Sequence, residues 1–435
     1  MNIRKTSNVK RKKSKGVNMY GNFLKKFNTT AALPQTAGSE PHKSEKTCSE
    51  PENVQIKKAF SMETLVFLLI FCIIFGVLGS RMGTVNMLNT MLNTSYDLLM
   101  NTVFYIMAIA VIAGAFAGLL TEFGVVAAIN KILSPLMKPL YGLPGAAAVG
   151  VMTTYLSDNP AILTLAEDDN FRRYFKKYQL PALTNIGTAF GMGMIITTFM
   201  IGMKNPEGGS YISAALIGNL GAIIGSIISA RLMLIKTKKL YGTSEAADVK
   251  KQGIRISMDE RIVRSGNIGG RFMEAMLEGG KNGVSMGVSI IPGVLIICTL
   301  VMMLTNGPSA DGTFTGAAYE GIGFLPWAAE KCNIILSPLF GFTSAESISV
   351  PITALGAAGA AIGLIPRLVE NHLASGNDIA VFTAMCMCWS GYLSTHVAMM
   401  DSLKFRSLTG HAILCHTIGG LCAGISAHWM YILFC

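Results

Sequence analysis

Charge is scarce in this sequence. Asp, Glu, Lys and Arg make up 14% of 435 residues, against 51% hydrophobic. Long polar stretches are equally scarce, so no soluble domain of normal size is left over once the apolar runs are set aside. Chemical machinery is missing too. There is no nucleophile–base pair, no phosphate-cradling glycine loop and no His/Cys set at metal-ligand spacing, so we expect no enzyme, no metal and no cofactor. The nine cysteines are an odd count, and seven lie within or at the edges of apolar runs, which gives no disulfide framework. Cys386 and Cys388 would point to different sides of a helix. His396, His411, His416 and His428 lack ligand spacing and are read as packing residues.

What is present is hydrophobic length. Apolar runs near the ~20 residues that cross a bilayer fall at 64–79, 98–120, 180–203, 211–235, 284–304, 379–400 and 409–435. The chain is read as an all-α polytopic membrane protein.

A net charge of +11 would suit nucleic acid if it formed a surface, but its distribution speaks for topology. Thirteen of the 36 Lys and Arg lie in residues 1–58, and ten more lie between Lys236 and Lys281. Basic loops stay on the cytoplasmic side. We therefore expect a multi-pass protein of the cell (inner) membrane with a cytoplasmic N-terminus, and no nucleic-acid partner. Residues 1–58 hold too few large apolar groups to fold alone and read as a disordered basic tail. Contact with anionic lipid is the other reading of that tail.

The segments repeat. "NKILSPL" at 130–136 and "NIILSPL" at 333–339 are each followed by an aromatic–glycine pair. Around each copy runs the same order: a span, an amphipathic stretch, an interrupted apolar segment, then two more spans. The expected units are an extra helix at 59–82, a first repeat at 96–235, a cytoplasmic loop at 236–283 and a second repeat at 284–435. If each interrupted segment is a re-entrant helical hairpin, the first unit crosses three times and the second must be inserted upside down. Inverted repeats with broken segments near the midplane are an architecture of secondary transporters, because backbone freed at membrane depth must face protein or a polar cavity.

The first interrupted segment, "TYLSDNPAIL" at 154–163, holds the residues of most interest. A carboxylate at membrane depth costs several kcal/mol, and Pro160 stops the helix. Ser157, Asp158, Asn159 and Pro160 are therefore expected at a hairpin tip. Asp158 or Asn159 can serve as a helix N-cap, contact solute or coupling ion, or do both. The second tip is expected over "LGAAGAA", 355–361, where Gly356 and Gly359 would offer backbone groups only. Two spans carry breakable glycine-rich stretches. One holds Thr184, Asn185 and Thr188, with Gly187 and Gly191 at i, i+4, which also suits close helix packing. The other holds Ser390, Gly391 and Ser394. Asp158 and Asn185 are the candidate ion-coupling residues.

These residues carry a resemblance. The chain resembles the gate-domain superfamily, in which concentrative nucleoside transporters, ferrous-iron uptake proteins and spore-maturation membrane proteins share the repeated unit. The nucleoside transporters carry a Gln-Thr-Glu-Ala-Pro hairpin tip, and "LSDNP" fits it with Ser157 for threonine, Asp158 for glutamate and Pro160 for proline. Residues 274–306 look like that family's helix at the same place, and "AMCMCWSGYLS" at 384–394 puts Ser390 at an asparagine position. The resemblance covers roughly 96–435. It implies a concentrative-nucleoside-transporter-like fold and a carrier function, with a nucleoside or an amino-acid-like solute. The pair that would hold a nucleoside's sugar is replaced here by "GAAGAA", so the resemblance does not name the solute.

The expected function is secondary active transport of a small polar solute coupled to Na⁺ or H⁺. A non-transporting assembly or regulatory protein using the same fold is the alternative. The expected partners are the solute and the lipid bilayer, with a homo-oligomer left open.

Overall fold

The computed structural model describes residues 60–159, 161–162, 165, 169–247, 263–309 and 311–435, without the side chains of Asp169, Asn170 and Ser394. The 1–58 tail, Pro160 and the middle of the 236–283 loop lie outside the described residues. Glu63–Cys435 is one compact unit. Among the described residues there is no β-strand, only an isolated bridge between Lys176 and Ala246.

Helix α1, Met62–Met82, leaves most of its apolar side chains exposed, as a lipid-facing span does. The first repeat opens with α2, Thr84–Asp97, which continues through a π-turn at Leu98–Val103 into α3, Phe104–Glu122. Then come amphipathic α4, Val125–Tyr141, and α5, Ala147–Leu156, the first hairpin arm. A broken span follows as α6, Leu180–Ala189, and α7, Gly193–Gly202, and α8, Ile212–Tyr241, closes the repeat.

The second repeat has the same order. Its α9, Ile268–Gly293, runs through a π-turn at Val294–Cys298 into α10, Thr299–Thr305. Short α11, Phe324–Lys331, and α12, Asn333–Phe340, lead to hairpin arms α13, Ser349–Ala354, and α14, Ala358–Glu370. The second broken span is α15, Gly376–Cys388, and α16, Tyr392–Ser402, and α17, Thr409–Phe434, ends the chain.

The backbone carries the repeat more clearly than the side chains do. Left-handed residues recur at one fixed step of 199 residues: Gly124 with Gly323, Gly142 with Gly341, and Met192 with Gly391. Each pair ends or starts a corresponding helix. Glycine meets the positive φ at no steric cost, whereas Met192 holds it at a cost of order 1–3 kcal/mol.

Two close antiparallel helix pairs bind the halves together. Where α3 crosses α9, Gly114 lies against the carbonyl of Gly279 and Gly118 against that of Ala275, so an added Cβ would meet oxygen at 2.4 and 2.3 Å. Where α8 crosses α17, Gly225 lies against the carbonyl of Gly419, and Gly221 against that of Ala423. Small residues four apart let backbones approach this closely in lipid, where packing rather than the hydrophobic effect drives association.

Several expectations needed correction. The spans expected at 98–120 and 284–304 are the apolar parts of helices of 39 and 38 residues, Thr84–Glu122 and Ile268–Thr305. At ~1.5 Å per residue each is nearly twice as long as a bilayer core is thick. The extra length in α2 is polar, and it is anchored outside any apolar pattern. Asn86 and Asn93 donate to the carbonyls of Phe314 and Gly316. The second hairpin tip is narrower than expected: helix resumes at Ala358, so Gly359 lies inside α14, against Ile290. The expected 379–400 span is not one helix but α15 and α16.

The loop between α10 and α11 is tied by one carboxylate. Buried Glu320 accepts from the Ser309 and Thr315 hydroxyls and from the backbone N–H groups of Thr315 and Gly316. Burial pushes this carboxyl up, but the donors outweigh burial and hold it at about 2.

Candidate functional site

The tip of the first hairpin is built from helix endings. Ser157 ends α5, with its hydroxyl donating to the Thr153 carbonyl at 2.7 Å. The carbonyls of Asp158 and Asn159 then accept the N–H groups of Ala161 and Ile162 and start the return arm. That arm packs back on the first. Ile162 fills the space over Gly150 of α5 and over Gly187 of α6, where an added Cβ would meet it at 2.5 and 2.2 Å. Gly187 is therefore the seat of the hairpin.

Asn159 is buried, 3% exposed, and its amide is wedged between the breaks of the two broken spans. An added Cβ at Gly191 would lie 2.1 Å from its Oδ1, and one at Gly391 2.3 Å from its Nδ2. Its Nδ2 donates to Ser390 Oγ at 3.2 Å, while its Oδ1 is buried with no partner. A buried amide oxygen left unpaired costs about 1–3 kcal/mol, and such a group marks a place for a ligand, ion or water.

Asp158, next to it, points the other way. One carboxylate oxygen accepts from the N–H of Asn159 at 2.7 Å, and no cation meets it among the described residues. It lines a cavity of about 530 Å3 between the hairpin and the α3–α9 crossing, together with Thr153, Ser157, Asn282 and Ser285. Glycines 114, 118, 279 and 283 form part of the wall, so the contact that lets the helices cross also leaves room beside it. At the mouth stand Arg264 and Glu278. Arg264 pairs with Glu278 and, at 2.6 Å, with buried Glu122, which also receives Arg271 at 2.7 Å. This ion cluster ties the end of α3 to the start of α9.

A second cavity, of about 750 Å3, lies at the other end of the same helix pair. It is lined by the second hairpin's return arm through Gly363, Pro366 and Arg367, and by Asp97, Asn101 and Lys204. Arg367 stacks 3.9 Å from the centre of the Tyr319 ring, and the Tyr319 hydroxyl donates to Asp97. Each hairpin thus borders a cavity at its own end of one antiparallel pair.

The expected site residues divide accordingly. Ser157, Asp158, Asn159, Ser390 and Gly391 come together at the tip. Thr184, Asn185 and Thr188 are fully buried and do not line the cavity that holds Asp158. Thr188 donates to the carbonyl of Thr184 at 2.8 Å, and Thr184 to the Met400 sulfur at 3.4 Å. Asn185 donates to Ser229 Oγ at 2.8 Å and to the Ala412 carbonyl at 3.0 Å, leaving its Oδ1 unpartnered. Gly356, exposed at the second tip, has Ile297 as its near neighbour. Pro160 and the Ser394 side chain lie outside the described residues.

Sequence reasoning missed Asn282, Ser285 and the Arg264 cluster, because Arg264 and Asn282 fall in the stretch read as the 236–283 cytoplasmic loop, of which the structure makes 268–283 the start of α9, and Ser285 falls in a span read as ordinary. The stripe Gly279, Gly283, Gly287 on α9 was the available signal.

No family model matches the chain, and no curated protein does. Solved structures similar to it include those of CNTnw. A doubly substituted CNTnw in an outward-facing state is 12% identical with a TM-score of 0.48, over 85% of each chain. CNTnw in an inward-facing substrate-bound state is 12% identical with a TM-score of 0.46, over 86% of this chain and 85% of that one.

Proposed function

We propose that this chain is an ion-coupled secondary carrier for a small polar solute, nucleoside-like or amino-acid-like, set in the cell membrane with its N-terminus in the cytoplasm. One relationship carries the reading: a hairpin tip presents an unpaired carboxylate to a cavity while its neighbouring amide is clamped between two helix breaks related by the repeat. A packing motif needs no such carboxylate, since burying it is costly.

The residues divide the work. Ser157, Asn282 and Ser285 offer hydroxyl and amide groups to a solute with O–H or N–H groups. Asp158 supplies the charge that a cation or proton neutralises. Asn159 transmits the state of the tip to both broken spans, because it touches Gly191 and Gly391 at once. In this conformation the cavity opens beside Arg264 and Glu278. Movement of the hairpin and the broken spans against the α3–α9 pair would close it and open access from the Arg367 end.

The test is a thermal-shift screen of the purified protein against nucleosides, amino acids, dipeptides and carboxylates, with and without Na⁺. A shift for one class that disappears in Asp158→Ala supports the reading. No shift for any class, with Asp158→Ala as stable and as well assembled as the wild type, favours an assembly or regulatory protein instead.

A further inference from the structure

His396 on α16 and His416 on α17 are fully buried, and their ring centres lie 4.8 Å apart. Their partners decide where the hydrogens sit. His396 Nδ1 faces the Tyr392 carbonyl, which only accepts, so Nδ1 carries the hydrogen and Nε2 is a bare lone pair. That Nε2 is buried and has no partner. His416 Nε2 faces the Cys388 carbonyl and must donate to it. Its Nδ1 then accepts from Ser229 Oγ at 3.1 Å, and Ser229 accepts from Asn185 Nδ2 at 2.8 Å. Two buried acceptors beside the pair have no donor, His396 Nε2 and Asn185 Oδ1 of α6.

The position of this network matters. The Cys388 carbonyl gripped by His416 ends α15 at the break 389–391, which the hairpin tip grips from the other side through Asn159 and Ser390. His416 and the hairpin therefore hold the same break. Few ionisable groups stand near the pair. Tyr392 lies on the same helix, its hydroxyl bonded to Thr417, and Cys388 ends α15. Cys415 and His411 lie lower on α17, beside Lys236 of α8. Asp401, Lys404 and Arg406 lie at or beyond the far end of α16, and α6 carries no ionisable side chain. Among the described residues no carboxylate bonds either ring.

We propose that His396 Nε2 is a proton-binding site, and that His416 links its occupancy to the break at 389–391 and hence to the hairpin tip, making the proton a coupling ion. The coupling half of this statement rests on the carrier reading above; the binding half does not. Binding adds one H⁺ to the Nε2 lone pair and breaks no other bond. A buried imidazolium without an acceptor is unfavourable, and the unpartnered Asn185 Oδ1 on α6 is the acceptor it would move toward. Bringing the two together shifts α16 against α6 and pulls on the break at the start of α16.

The test uses the full-length protein in lipid nanodiscs with ¹⁵N-labelled histidine, read by NMR from pH 8 to pH 4. The signal lost in His396→Gln should pass from a bare Nε2 to a protonated one within that range. Hydrogen exchange at the amides of Asp158 and Asn159, corrected for the intrinsic pH effect, should change about tenfold over the same range. It should be flat in His396→Gln, and flat in His416→Gln although His396 still titrates there. The proposal is overturned if His396 Nε2 stays bare throughout in the wild type, if the wild-type tip does not respond to pH, or if the tip of either variant responds as the wild type does. Liposome uptake is read separately. If neither a pH nor a Na⁺ gradient drives any probe of the screening panel, the carrier reading fails, while the histidine titration still decides the binding site.

Discussion

Asn159 and Ser390, 231 positions apart, are joined by a hydrogen bond of 3.2 Å between the first hairpin tip and the second broken span. One side chain thus reports across both halves of the repeat. The break it meets has no room to spare, since Gly391 lies at φ 63 with the Asn159 amide over its Cα.

Gly391→Ala should therefore cost about 1–3 kcal/mol through overpacking, with a further penalty for a side chain at positive φ. Gly191→Ala carries only the first term. Asn159→Ala should restore much of the stability of Gly191→Ala and less of that of Gly391→Ala. Thermal melts of the three single and two double variants check this; equal rescue at both glycines would contradict it.

The α3–α9 crossing makes a sharper contrast between neighbours. An added Cβ at Gly279 would lie 2.1 Å from the Gly114 carbonyl oxygen, whereas one at Gly280 meets nothing nearer than Val111 at 3.6 Å. Gly279→Ala should lower the melting temperature strongly. Gly280→Ala should leave it unchanged or raise it, since alanine gains up to ~1 kcal/mol of helix propensity over glycine.

Glu320 makes stability depend on acid in a defined window. Its carboxyl is held at about 2 in the folded chain, below the ~4.3 of an unfolded glutamate. The stabilisation is fully present above the unfolded value and is lost as pH falls through the folded one. Glu320→Gln should cost about 1–2 kcal/mol at neutral pH, and the gap to wild type should shrink between pH 4 and pH 2. A constant gap would show that the loop is not held by this charge.

Much of the architecture was legible because it is written in periodicities. The "ILSPL" repeat located both amphipathic stretches, and glycines beside polar residues located both breaks, now at residues 190–192 and 389–391. Asp158 and Asn159 stood out because an acid and an amide in an apolar run need a reason. Three features were not legible. The polar half of α2 is helical through contacts with a loop more than 220 residues away, which no local pattern encodes. Gly359 lies in a helix because alanine-rich sequence resumes helix at once after a single turn. His396 and His416 read as packing residues because the pair forms between two helices rather than along one.

The most direct measurement is solute uptake into proteoliposomes under an imposed pH or Na⁺ gradient, comparing wild type with Asp158→Ala and Asp158→Asn for the solute class found in the binding screen. The account predicts gradient-driven uptake in wild type and at least a tenfold loss in both variants, with folding retained. Unchanged uptake in Asp158→Ala would contradict it.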